Sequence, residues 1–191
     1  MARRSMREEI GDAALDRFMA RGYSVGVKDI TEAAGVPKGS FYNHFDSKES
    51  MGVEALRRYS ARLRMDELAD ESVEPLVRLR RHFEYLGATT AARDYARGCL
   101  FGNFAAEVVD HSDAIRDQVS GAFDDWAGLI AAAIAQAQRD GSVRAGIDPA
   151  TTARFVLNAW EGAMLGARAA RSGESFDAFF ATVFGVLLAA Q

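Results

Sequence analysis

The stretch VKDITEAAGVPKGSFYNHFDSKE, residues 27–49, decides how this chain is read. Val27, Ile30, Ala33 and Ala34 recur on one face of a helix of about two turns, which Gly35 stops. Gly35-Val36-Pro37 makes a three-residue turn, and Pro37 opens a second short helix that ends at Phe45. That is the geometry of a helix-turn-helix. At about 100° per residue, Phe41 and Phe45 fall on one side, against Ile30 and Phe18, while Lys38, Gly39, Tyr42 and Asn43 face away. An ammonium, a bare backbone, a phenol and an amide can reach base edges or phosphates without repelling one another. Gly39 lets a nucleic-acid backbone approach closely.

Working outward, Ser5 with Glu8 has the spacing of a capping box, and Met6, Ile10, Ala14 and Phe18 follow at every fourth position until Gly22. Downstream, Asp46 or Ser47 with Glu49 or Ser50 caps a helix whose apolar face is Met51, Val53, Leu56, Tyr59 and Leu63. Lys48 sits in its first turn, where free N–H groups and the helix dipole already favour a phosphate. Arg3, Arg4 and Arg7 form a short basic tail suited to an adjacent groove. The first 50 residues hold 8 basic and 8 acidic side chains, so positive potential must come from their arrangement on one face.

The rest of the 191 residues also reads as helix, at about 75–88, 98–110, 113–139, 149–171 and 176–189, with Asp66–Glu74 as a linker or frayed end. Asp148 before Pro149 is a good N-cap. The expected fold is all-α with about nine helices: a three-helix domain at 1–50 carrying the helix-turn-helix, and a helical domain at 51–191. The net charge of -4 excludes an overall basic coat, and the charge-free run 178–191 is too short for a bilayer. The first ten residues lack the apolar stretch of a secretory signal, so a cytoplasmic protein is expected. One cysteine and three scattered histidines predict no disulfide, no metal site and no cofactor. No phosphate loop, metal-ligand pair or nucleophile elbow points to an enzyme.

The last two predicted helices are apolar all round, from Phe155 to Leu165 and from Phe176 to Leu188. Such helices are buried on more than one side, and the simplest second side is another subunit in a two-fold dimer. Gly162, Ala163 and Gly166 would allow close helix approach. If a small molecule binds, its walls should be Phe101, Phe104, Trp126, Trp160 and Met164, with Asn103, His82 or Tyr95 as polar handles. Cys99 falls at a predicted helix start near Arg97, where dipole and cation favour a reactive thiolate; a free cysteine also serves simply as packing.

The run from Ile30 to Glu49 resembles the DNA-binding signature of the TetR family of repressors, over roughly residues 5–50. The resemblance implies an all-helical homodimer with an N-terminal DNA-binding domain, a C-terminal ligand-sensing and dimerisation domain, and repression relieved by an inducer. It implies DNA contacts from Lys38, Gly39, Ser40, Tyr42, Asn43 and His44, flanked by Lys28 and Lys48. Gly26 departs from the Ser or Thr that usually caps the second helix and touches phosphate. The segment Arg97 to Glu107, with Trp160 to Ala163, is similar to the subgroup of repressors of N-ethylmaleimide-reductase operons, which implies a role for Cys99 in sensing electrophiles or oxidants. The partners expected are therefore a near-palindromic double-stranded operator, a second copy through the last two helices, and a small-molecule or electrophile effector, with no membrane. The alternative, a helical small-molecule-binding protein without DNA-binding activity, leaves the outward face of residues 38–43 unexplained.

Overall fold

The computed structural model describes residues 5–190, whose regular structure is helical, without a strand. The elements are α1 (Met6–Arg21), α2 (Val27–Ala33), a 3-10 helix (Lys38–Asn43), α3 (Lys48–Ser60), α4 (Met65–Ala69), α5 (Pro75–Ala91), α6 (Leu100–Glu107), α7 (Asp113–Arg139), α8 (Pro149–Ala170) and α9 (Glu174–Thr182). A π-helical turn, Val183–Leu187, continues α9.

Short-range chemistry sets the helix starts. Ser5 and Glu8 form the expected box: the Glu8 N–H donates to Ser5 Oγ at 3.3 Å, and the Ser5 N–H to Glu8 Oε2 at 2.8 Å. Of the alternatives at α3, Ser47 and Ser50 cap each other's backbone N–H, at 3.0 and 3.2 Å. Asp148 accepts from the Thr151 N–H at 2.8 Å, which holds its carboxyl below the usual range. Glu74 caps α5 in the same way, accepting from Leu76 and Val77. Three expectations need correction. The segment after Pro37 is a 3-10 helix, and Pro37 precedes it in extended backbone instead of opening it. The stretch Asp66–Glu74, expected as a linker or frayed end, is in part helical, since α4 covers Met65–Ala69. The last helix is shorter as an α-helix than 176–189, ending at Thr182.

Two compact units divide the chain. The first comprises 1–62 and 99–121, the second 63–98 and 122–191. In the first, Ile10, Leu15, Phe18, Ile30, Phe41, Met51 and Leu56 are fully buried together with Phe101, Phe104 and Ile115. Phe104 meets Phe18 and Tyr23 edge-on, with ring centroids 5.4 and 5.3 Å apart, and Phe101 meets Tyr59 at 5.5 Å. Arg58 ties α1 to α3 through Asp12 at 2.9 Å and also pairs with Glu54 at 2.9 Å. A Cβ at Gly11 would meet the Arg58 guanidinium, so a side chain there would have to displace the arginine from this position.

In the second unit the rings centre on Phe83, which lies 4.9 Å from both Trp160 and Phe179, while Trp160 stacks on Phe176 at 5.0 Å. Arg78 is buried in it, donating to the carbonyls of Asp70 and Val73 and to Gln136 Oε1 at 3.0, 3.2 and 2.8 Å. No helix among the described residues is long and apolar enough to cross a membrane.

Candidate nucleic-acid interface

The turn between α2 and the 3-10 helix is built on Gly35, whose φ of +69° suits glycine. Thr31, Ile30, Phe41 and Phe45 bury one side of the pair. Phe41 and Phe45 lie 5.7 Å apart, and the Phe45 N–H returns to the Phe41 carbonyl at 2.9 Å, so the short helix is pinned from within. Lys38, Gly39, Tyr42 and Asn43 are exposed, as the 100° spacing predicted, even though the segment is 3-10; Ser40 and His44 are half-buried. Tyr42 stands 61% exposed on the edge of Phe41, with ring centroids 5.0 Å apart. A Cβ on Gly39 would meet nothing within 4 Å, so packing inside the chain does not require glycine there.

The flanking cations behave differently from one another. Lys28 is exposed and pairs with Glu32 at 3.6 Å. Lys48 is half-buried with its Nζ 4.4 Å from the centre of the Tyr23 ring, and desolvation lowers its pKa. Arg7 donates to the His44 carbonyl at 2.7 Å and lies 4.7 Å over the Phe45 ring, which makes it a strut of the 3-10 helix. Arg3 and Arg4 lie outside the described residues. At Gly26 the Asp29 carboxylate accepts from the backbone N–H at 3.2 Å, with no side chain to cap from the other direction.

Two acidic side chains make long-range contacts beside this surface that the sequence did not indicate. Glu107 accepts from the Tyr23 N–H at 2.6 Å, next to Gly22, whose φ of +75° and lack of Cβ leave room for the carboxylate. Glu49, beside Lys48, accepts from the Ser112 hydroxyl, which in turn accepts from the Ile115 N–H at 3.2 Å. Burial and Glu49 together raise the Tyr23 pKa. The sequence signal for both contacts was only a helix end with a carboxylate; the partners are 84 and 63 positions away.

The residues named as ligand walls fall in different units. Cys99, Phe101, Asn103 and Phe104 belong to the first, where Cys99 is buried at the N-cap of α6. Trp126, Trp160 and Met164 belong to the second, where Met164 Sδ accepts from the Thr90 hydroxyl at 3.6 Å. In that unit Phe155, Leu165 and Val186 are 55%, 62% and 70% exposed. Beside Phe155, a groove of about 330 Å³ runs between α8 and α9, lined by Ala159, Ala163, Ala178 and Phe179 among others.

Residues 10–55 match the family model described as bacterial regulatory proteins, tetR family, and residues 75–183 the tetracyclin repressor-like C-terminal domain. The chain is 38% identical to the HTH-type transcriptional repressor DhaR of Mycobacterium sp. strain GP1, over 98% of this chain and 95% of that protein. It is 31% identical to the HTH-type transcriptional repressor NemR of Escherichia coli K12, over 88% and 87%. The structure of reduced E. coli NemR superposes with a TM-score of 0.86 at 28% identity, covering 97% of this chain and 99% of that one. A TetR regulatory protein from Rhodobacter sphaeroides gives 0.85 at 33% identity, over 93% and 96%.

Proposed function

Because the chain belongs to the TetR family of bacterial regulatory proteins, it is a DNA-binding transcriptional regulator and not an enzyme, and we propose that it is a repressor whose dimer holds a near-palindromic operator until an effector binds. Residues 1–50 are the DNA-binding domain in this reading, and 51–191 the sensing and dimerisation domain. The observation that carries it is the outward set Lys38, Gly39, Tyr42 and Asn43 on a helix anchored inward by Phe41 and Phe45. Ser40 and His44 complete the recognition surface, Lys28 and Lys48 reach the flanking phosphates, and the protein works in the cytoplasm, where its DNA is.

The dimer forms through α8 and α9. Exposed Phe155, Leu165 and Val186, with the groove beside Phe155, are the kind of apolar surface a monomer rarely leaves open. Two-fold symmetry then sets the recognition helices about one DNA turn apart, roughly 34 to 36 Å. An effector favours a state with a different separation, and its strength is limited by its difference in affinity for the two. Phe101, Asn103, Phe104, Trp126, Trp160 and Met164 are the side chains proposed to respond. Electrophile sensing by Cys99 is a second reading, favoured by the similarity to NemR and by the cysteine's place at the start of α6.

Binding to DNA flanking the protein's own gene, measured across salt with a scrambled competitor, tests the regulator. Specific binding whose log affinity falls steeply with log salt is expected; weak binding indifferent to sequence rejects a local operator. For Cys99, intact mass after a mild electrophile, with Cys99→Ser as control, should show one adduct, and an unreactive thiol removes the second reading.

A further inference from the structure

Two neighbouring side chains in the second unit bury polar atoms that nothing satisfies. His82 is 3% exposed and Trp126 1%. Neither ring nitrogen of His82, nor Trp126 Nε1, has a hydrogen-bond partner among the described residues. The two rings touch edge to face, with centroids 5.5 Å apart and planes at 85°. Phe83 lies against both, at 5.4 Å from His82 and 6.5 Å from Trp126, and carries the contact on to Trp160. Buried polar groups are almost always hydrogen-bonded, because an unmet donor forfeits its solvation in full. Leucine or phenylalanine would fill these positions without that loss. Nitrogen-bearing rings packed beside an aromatic cluster supply the two ingredients a ligand site combines, an apolar wall and a few polar groups.

We propose that His82 and Trp126 are the polar end of the effector site, and that the effector is a small uncharged molecule with an apolar body and one carbonyl oxygen. The oxygen accepts from the Trp126 Nε1–H and from the N–H of the neutral imidazole, while the body lies along Phe83 and Trp160. This rests on the reading of the chain as a ligand-responsive regulator, and adds the chemistry of the ligand. A carboxylate fits the pair poorly. Burial keeps His82 neutral down to about pH 4. The buried cation one turn earlier on α5, Arg78, has both terminal nitrogens engaged, by two backbone carbonyls and Gln136, and only its Nε is without a partner among the described residues.

The test uses the full-length protein labelled with ¹⁵N and the two indole N–H resonances, assigned with Trp126→Phe, since Trp126 and Trp160 are the chain's two tryptophans. Three probes of one shape are titrated at pH 7.5: cyclohexanone, methylenecyclohexane, which lacks the acceptor, and cyclohexanecarboxylate, which is charged. Cyclohexanone should shift the Trp126 indole resonance downfield and saturably. Methylenecyclohexane should bind about tenfold more weakly without that shift, as expected for the loss of two modest hydrogen bonds. The carboxylate should leave the resonance in place, and His82→Phe should weaken the ketone alone. Equal binding of ketone and hydrocarbon overturns the proposal, as does binding of the carboxylate alone, or no movement with any probe. The overturning outcomes are read on the unsubstituted protein, and Trp160→Phe assigns the two resonances where Trp126→Phe does not fold. DNA release is scored separately: ketone binding at Trp126 without release keeps this site and defeats its role as effector site. Release by another compound with Trp126 unmoved defeats the site and keeps the regulator.

Discussion

The 3-10 helix at Lys38–Asn43 and the ring cluster around Phe83 handle polarity in opposite ways. The first buries the Phe41 ring and turns Lys38, Tyr42 and Asn43 outward; the second encloses an imidazole, an indole N–H and a guanidinium. A surface that must meet a polymer of phosphates and base edges can leave its polar groups to solvent until the partner arrives. A core that encloses unsatisfied donors bears a standing cost, and a ligand is one way to remove it.

The largest effects should come from breaking the apolar side of each region. Phe83→Ala and Phe41→Ala should each destabilise by about 3–5 kcal/mol, since both rings are fully buried. In urea melts both midpoints should fall, and the Phe41 variant should also lose DNA affinity beyond what its unfolded fraction explains. A Phe41→Ala midpoint equal to the parent's would mean that the short helix is not anchored as described.

Acid sharpens the contrast next. The unfolded chain protonates a histidine near pH 6.5, whereas His82 in the fold takes its proton only near pH 4. The stability this difference supports is intact above pH 6.5 and is lost as pH falls toward 4, by about 3 kcal/mol over that window. His82→Phe should flatten that acid limb in melts between pH 7.5 and 4.5, and an unchanged slope would assign the loss to other groups. On the outward side, Tyr42→Ala should leave the melting midpoint within error, yet weaken operator binding by about 1–3 kcal/mol. Unchanged binding would remove Tyr42 from the recognition surface. Smallest of all, Lys28→Ala should cost under about 1 kcal/mol in affinity and lower the salt slope by about one, the signature of a single phosphate contact.

The recognition turn was legible in the sequence because its determinants are local. Gly35, the Phe41–Phe45 spacing and the serine caps each act within a few residues, so burial of the two rings and exposure of Tyr42 followed from periodicity alone. That Lys38–Asn43 is 3-10 was not legible, since four-residue apolar spacing is satisfied by either helix over so short a span. Arg7 shows the other limit: read as part of a basic tail, it is committed to the carbonyl of His44, 37 positions on. The grouping of Phe101 and Phe104 with α1 and α3, apart from Trp126 and Trp160, likewise depends on contacts across the chain that periodicity does not encode.

The carboxylate of Glu107 on the Tyr23 amide has a use of its own. A backbone proton held by a side chain 84 positions distant cannot exchange with deuterium until that clasp opens. The Tyr23 amide is therefore a built-in clock for one junction of the molecule. Its exchange rate, read with and without DNA or effector, reports at a single proton how often α6 lets go of the end of α1.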